Sequence, residues 1–371
     1  MKPFTSFARL LPLIGLFALP VPAMGAPPIT VGDGTAPSCT AEALENALAI
    51  AGRTRGVKIR FECGADPVTI ALTATITPPN NTMIDGGGVI TLTLIGTNAF
   101  SVVVAPDTTV VLKNLGYTGA KSISNAGTLT ITNNRFFRGG QGIDNSGTLE
   151  IDESVFSHYG LALGRAITNS GTLKVKNSMF VSNAGQVIGV GIFNTGEATV
   201  RNSAFVDNGG EGGNAVYNTG TLTIDNSTFA HNAFGCGGAI FNGGTLTVKN
   251  SMFSNNGAGG TLCDHGGGGI ANLGTLTISN SALFANAGRQ GGGIANTGTL
   301  TISNSALFGN TAGQEGGGVY NEGGLTVTRS VITDNIAGLD GGGIYTCCGG
   351  TLTVESSSVE GNTPNNIVTV P

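Results

Sequence analysis

The chain has 371 residues, with 17 basic and 22 acidic side chains, a formal net charge of −5 and only 11 % charged residues. Gly, at 62 residues, is far above the usual ~7 %, while Trp is absent and Pro contributes only 13. Sparse charge excludes a solvated disordered chain, the missing Gly-X-Y period excludes collagen, and the lack of a basic excess excludes a nucleic-acid partner.

Residues 1–25 read as a secretory signal. Lys2 and Arg9 precede an apolar run from Leu10 to Val21, and Ala23-Met24-Gly25 supplies a small-x-small cleavage pattern. The run is broken by Pro12 and Pro20 and is shorter than the ~20 residues of a membrane span. No later segment reads as a transmembrane span. The expected location is therefore secreted, extracellular or cell-surface, with the periplasm as the other fitting compartment. Six cysteines suit that setting and fall into pairs, Cys39 with Cys63, Cys236 with Cys263, and the adjacent Cys347 and Cys348. Their spacing matches no zinc motif, so disulfides are expected and a metal is not. The last pair either closes a vicinal bridge or stays reduced.

Residues 26–119 form an N-terminal cap and the first coils. Thr40 is placed to cap a helix over 41–51, with Ala41, Leu44, Leu48 and Ala51 on one face and Gly52 at the stop. Strands are expected at Val57–Phe61, Val68–Ile76, Thr82–Ile84, Val89–Leu94 and Val110–Leu112, with Asp85-Gly86-Gly87-Gly88 as a structural turn. The helix is suited to close the open apolar end of a stack.

From residue 120 to 363 the chain repeats. Gly-Thr-Leu-Thr-Ile and its variants recur with Leu at 129, 149, 173, 222, 246, 276, 300, 325 and 352, and Ala198 fills the missing place. Within one unit the alternation has period 2. Across Thr299–Ser305, Leu300, Ile302 and Asn304 are expected to point inward and the hydroxyls outward. A unit of this length holding three short strands and three turns is one coil of a parallel β-helix, with rungs ~4.8 Å apart. A leucine-rich repeat is the alternative, but its further leucines are missing. The register pairs Glu150 and Asp152 with Lys174 and Lys176 and continues through Arg201, Asp225 and Lys249, so the stack largely makes sense as charge ladders of solvated residues. One Asn column runs Asn145, Asn169, Asn194, Asn218, Asn242, Asn272, Asn296 and Asn321. A second runs Asn177, Asn202, Asn226, Asn250, Asn280 and Asn304. Stacked amides at turns satisfy each other and nearby carbonyls, so both columns are read as structural. Residues 364–371 are expected to be a C-terminal tail.

Two motifs carry a family resemblance. Gly237-Gly238-Ala239-Ile240, with variants at Gly267–Ile270, Gly291–Ile294, Gly316–Val319 and Gly341–Ile344, resembles one half of the polymorphic outer-membrane protein repeat. Its other half, Phe-x-x-Asn, stands at Phe180–Asn183, Phe205–Asn208, Phe229–Asn232 and Phe253–Asn256, with looser versions to Val359–Asn362. The N-terminal part is similar to secreted right-handed β-helix proteins of the pectate-lyase-like superfamily. The fold class is thus all-β, a parallel β-helix with an N-terminal capping helix, and the resemblance implies right-handed winding. It further implies either adhesion by a surface-exposed passenger or a groove with stacked carboxylates for calcium or acid–base work.

Candidate chemistry is sparse. The loops before the Gly-Gly-Gly turns place Glu211, then Asp264 with His265, then Arg289 with Gln290, then Gln314 with Glu315, then Asp340 along one edge. The longest coil holds Cys263, Asp264 and His265 in an insertion, the most site-like feature of a regular solenoid. Asp264, His265, Arg289, Glu315 and Asp340 are the catalytic candidates under a polysaccharide lyase or glycoside hydrolase reading, and calcium enters only under the lyase. The binding candidates are Thr221, Thr223, Thr245, Thr247, Thr275, Thr277, Thr299 and Thr301, four rungs of outward hydroxyls. The leading expectation is an adhesive or glycan-binding protein with carbohydrate or a host or cell-surface ligand as partner. The enzyme is the alternative, and an ice-binding or purely structural extracellular protein comes third.

Overall fold

The computed structural model describes residues 27–54, 56–95, 99–160, 164–209, 215–233, 238–258 and 266–371. The expected signal, Glu211, Cys236, Cys263, Asp264 and His265 lie outside these.

Thr40 caps the helix Ala41–Ala51 by accepting the Ala43 N–H at 3.1 Å. Leu44, Ala47, Leu48 and Ala51 are buried, so the apolar face gains Ala47 and holds Ala41 at its margin. Gly52 ends the helix without a left-handed turn, at φ −63°, and Gly56 makes the left-handed step at φ 71°. The Cys39–Cys63 disulfide ties the segment before the helix to the end of strand Val57–Phe61.

The strands then wind into a right-handed parallel β-helix of about 12 turns. The two expected strands at 82–84 and 89–94 are one, Thr82–Leu94, with a register shift between Asp85 and Ile90. Gly87 and Gly88, at φ 65° and 86°, bulge the strand rather than reverse it. Likewise Val110–Leu112 grows into Thr109–Asn125, and the strand from Val68 stops at Leu72. Propensity marks a strand here, but only stacking on the neighbouring coil sets its ends.

Each later coil contributes a five-residue strand, a short strand carrying a large apolar residue, and a short strand ending in Asn. Leu222 pairs with Leu246 and Ile224 with Val248, and every pairing between successive coils keeps this parallel register. The charge columns pair as expected, Lys174 with Glu150 and Lys176 with Asp152, and Lys176 Nζ lies 2.8 Å from Glu150 and 3.5 Å from Asp152. Inside, Tyr117, Phe136, Phe156, Phe180, Phe205, Phe229 and Phe253 stack with ring centroids 4.5–4.8 Å apart, and Leu283, Leu307 and Ile332 continue the column. In the coil that ends the described stack, Leu352, Val354 and Val359 are only half-buried. Residues 364–371, expected as a tail, carry strand Ile367–Thr369 paired with Ile344–Thr346.

The alternation breaks after each five-residue strand, and again at Ser182, Asp207, His231 and Asn255, whose φ of 53–55° precedes a buried Asn. Asn304 is exposed and Ser305 is buried, contrary to the inward Asn expected. Asn304 has φ 46°, as do Asn177, Asn202, Asn226, Asn250 and Asn280 within a few degrees, and a left-handed residue resets which side the next side chain faces. Asn suits that conformation. The serine that follows each one then forms a buried ladder, with the Ser203 N–H donating to Ser227 Oγ at 3.2 Å and the Ser227 N–H to Ser251 Oγ at 3.1 Å.

Candidate functional site

The outward side of the five-residue strands is a hydroxyl surface. Thr221, Thr245, Thr275 and Thr299 are exposed, and Thr223, Thr247, Thr277 and Thr301 stand half-buried beside them. The register extends the second column beyond the four expected rungs. Thr199, Thr223, Thr247, Thr277, Thr301, Thr326 and Thr353 pair one to the next along seven coils. Lys174 and Glu150 end it on one side, and Gly324 interrupts only the outer column. Ser279 and Ser303 stand paired two residues further along their strands, adding hydroxyls to the same surface. Threonine fits the pleat through its branched Cβ and leaves its hydroxyl at the rim.

The acidic edge is built differently. The Gly291 N–H donates to the Glu315 carbonyl and the Gly316 N–H to the Asp340 carbonyl, each at 3.1 Å, which puts residues 290, 315 and 340 on successive rungs. Gln290 donates its amide to Glu315 at 3.2 Å, Asn365 donates to Asp340, and the Gly341 N–H reaches the same Asp340 oxygen at 3.0 Å. Arg289 donates to Gln314 at 3.2 Å. The three described candidates, Arg289, Glu315 and Asp340, are therefore brought to one edge. Their polar atoms serve bonds along the stack, amide to carboxylate and guanidinium to amide. Glycoside hydrolysis asks for two carboxyl groups flanking a shared cleft. What the edge presents is a ladder.

An aromatic surface went unread in the sequence, as did the carboxylate that joins the cysteine pair 347–348. Phe193, Tyr217 and Phe241 stack on the outside of the Asn strands with centroids 5.2 and 4.8 Å apart, and the Arg165 guanidinium lies 4.2 Å over Phe193. The spacing of these aromatics by one repeat was the available signal. Near the C-terminus, the sulfurs of Cys347 and Cys348 and the carboxylate of Glu322 lie within 4.8 Å of one another. Both cysteines are thiols, Cys347 buried and Cys348 exposed, so of the two fates open to this pair the structure holds the reduced one. Tyr320 donates its hydroxyl to Glu322 Oε1 at 2.7 Å and lies 3.4 Å from Cys347 Sγ. A hydrogen bond with Cys347, then burial and the nearby carboxylate, push the Cys348 thiol up to about 11.

Known proteins agree on the fold. Residues 118–281 match the family model of the right-handed β-helix region. No curated protein matches the chain by sequence. Among solved structures, the catalytic domain of a GH87 α-1,3-glucanase in complex with nigerose is similar at 12 % identity, over 93 % of this chain and 68 % of that one, with a TM-score of 0.52. The catalytic unit of the thermostable GH87 α-1,3-glucanase from Streptomyces thermodiastaticus strain HF3-3 is similar at 15 % identity over 91 % and 68 %, with a TM-score of 0.53. PfbA, a surface adhesin of Streptococcus pneumoniae, aligns at 12 % identity over 89 % and 91 %, with a TM-score of 0.46. For the two glucanases the likeness, at these identities, is one of fold, and a fold hosts many activities. No helix among the described residues is long and apolar enough to cross a membrane.

Proposed function

We propose that this protein is a secreted carbohydrate-binding β-helix that meets glycan chains through its threonine surface, in the manner of an adhesin. The observation that carries this reading is the seven-rung column from Thr199 to Thr353 with its exposed outer companions. A polysaccharide is a repeating array of hydroxyls, and a solenoid is a repeating array of rungs. Each hydroxyl pair contributes only ~1 kcal/mol net, so affinity comes from many rungs engaging one chain at once. The glucanase catalytic domain solved in complex with nigerose supports the reading to this extent: a protein of similar fold holds an oligosaccharide. The repeat motifs resembling polymorphic outer-membrane proteins point the same way.

Affinity electrophoresis of the purified protein through neutral and acidic polysaccharides tests this. Retardation on at least one polysaccharide is expected, and Thr247→Lys/Thr277→Lys should lose it while melting as the parent does. Uniform mobility across the panel, or retardation indifferent to that pair, contradicts the proposal. New reducing or unsaturated ends, abolished by Asp264→Ala or Asp340→Ala, would make the protein an enzyme instead. The regularity of the same column also favours a second reading, the ordering of water at an ice surface, which thermal hysteresis would reveal.

A further inference from the structure

The last two coils place soft and hard ligands together in a way found nowhere else among the described residues. Tyr320 and Glu322 flank the inward Asn321, and Cys347 stacks on the next coil through its N–H, which donates to the Asn321 carbonyl at 3.0 Å. The turn from Thr346 to Thr351 is two residues longer than its counterpart from Asn321 to Gly324, with which it is in register. Those extra residues bring in the second sulfur. In extended backbone two adjacent side chains face opposite ways. Cys348 has φ 62°, and this left-handed step lets its sulfur approach that of Cys347.

We propose that Cys347, Cys348 and Glu322 form a binding site for a thiophilic divalent cation of the zinc class, with a fourth position open to solvent. Bond lengths of ~2.3 Å to sulfur and ~2.0–2.2 Å to a carboxylate place the ligands of a tetrahedral ion roughly 3.5–3.8 Å apart. The three ligand atoms lie within 4.8 Å of one another, so closing on an ion needs shifts on the order of 1 Å. Exposed Cys348 gives the ion its entry, and buried Cys347 gives it a fixed anchor. Tyr320, bonded to Glu322 and in reach of Cys347, is the positioning residue that orients both ligands. On binding, each sulfur exchanges its proton for the metal, both protons pass to solvent, and no electron is transferred. Once the protons have left, two thiolates and the Glu322 carboxylate supply the negative charge a dication requires. Zinc motifs in sequence are sought as separated pairs, and here the third ligand comes from the preceding coil, so the linear spacing gave no sign.

The test is a Co2+ titration of the full chain after mild reduction and removal of the reductant. A thiolate-to-cobalt charge-transfer band saturating at one equivalent per chain, and displaced by Zn2+, is expected. Cys348→Ser should abolish the band, Tyr320→Phe should weaken binding about 10- to 100-fold, and Cys236→Ser/Cys263→Ser should leave it unchanged. Cys348 is exposed, so its replacement leaves the fold intact, and an unaltered circular dichroism spectrum verifies that. Absence of the band at excess Co2+, survival of the band in Cys348→Ser, or a Cys347–Cys348 disulfide in the protein as secreted would each overturn the proposal.

Discussion

Asparagine does two jobs in this chain, and its energetic weight depends on which. Asn218 is fully buried, accepts from Asn194 at 2.7 Å, and donates to Asn242 Oδ1 at 2.8 Å and to the carbonyls of Gly220 and Thr245. Removing it leaves buried partners unsatisfied, at about 1–3 kcal/mol for each such group. Asn218→Ala should therefore cost ~3 kcal/mol or more, read as a lowered denaturation midpoint. Exposed Asn226 donates its amide to Asn202 at 2.9 Å, a bond that water can replace, and serves chiefly through its left-handed backbone, at φ 48°. Asn226→Gly should be nearly neutral, since glycine adopts that conformation freely. Equal losses for the two variants would contradict this division. A second buried amide column, Asn183, Asn208, Asn232 and Asn256, bonds side chain to side chain at 2.8–3.0 Å and also holds carbonyls of the phenylalanine strands. The motif Phe-x-x-Asn was plain in the sequence, but that its Asn points inward was not, because the residue just before it is left-handed, as Ser182 is at φ 53° and Asp207 at φ 54°, and resets the alternation. Leu300, by contrast, is inward as its period predicts, and Leu300→Asp should cost several kcal/mol. An unchanged melting profile would refute that.

At the level of single elements, the N-terminal cap is held by a disulfide and by a charged cluster around Asp85. Cys39–Cys63 closes a loop with a sequence separation of 24. Loops of this size restrict the unfolded chain by about 3 kcal/mol in the entropic account. Reduction should release the helix Ala41–Ala51 first, seen as faster amide exchange there while the central coils stay protected. Uniform loss of protection along the chain would contradict a separately tethered cap. Asp85 is the charged element of the same region. Burial works to raise its pKa, but hydrogen bonds from Asn114 at 2.7 Å and Gly87 at 3.2 Å, with Lys58 at 3.0 Å, outweigh it and hold the group below 3.8. A depressed carboxylate stabilises above its unfolded value and loses that stabilisation as the pH falls through it. The first coils should thus soften below about pH 4, and Asp85→Asn should flatten the dependence, as measured by local exchange against pH. The helix and its cap were legible because capping is a local signal. The merging of 82–84 with 89–94 was not, since a bulge and a turn share the same glycines and only the partner strand distinguishes them.

For the whole molecule, the repeat made the architecture readable and the function hard to read. Identical rungs mean that every coil carries the same hydroxyls and amides, so recurrence by itself marks no site. What the structure adds is register: the threonine column runs to seven coils, the carboxylates of the edge are tied to neighbouring amides, and two thiols meet a carboxylate one coil away. Counting along the chain found four of the threonine rungs and the edge itself, but not the bonds that tie the carboxylates or the meeting of the thiols with Glu322, because turns of differing length separate those partners. The most direct test of the account is amide hydrogen exchange on the protein with and without a polysaccharide that retards it. Protection should appear along the five-residue strands from Thr221–Asp225 to Thr299–Ser303. Protection confined to residues 289–290, 314–315 and 340, or none at all, would contradict the claim that the threonine surface is where this protein binds.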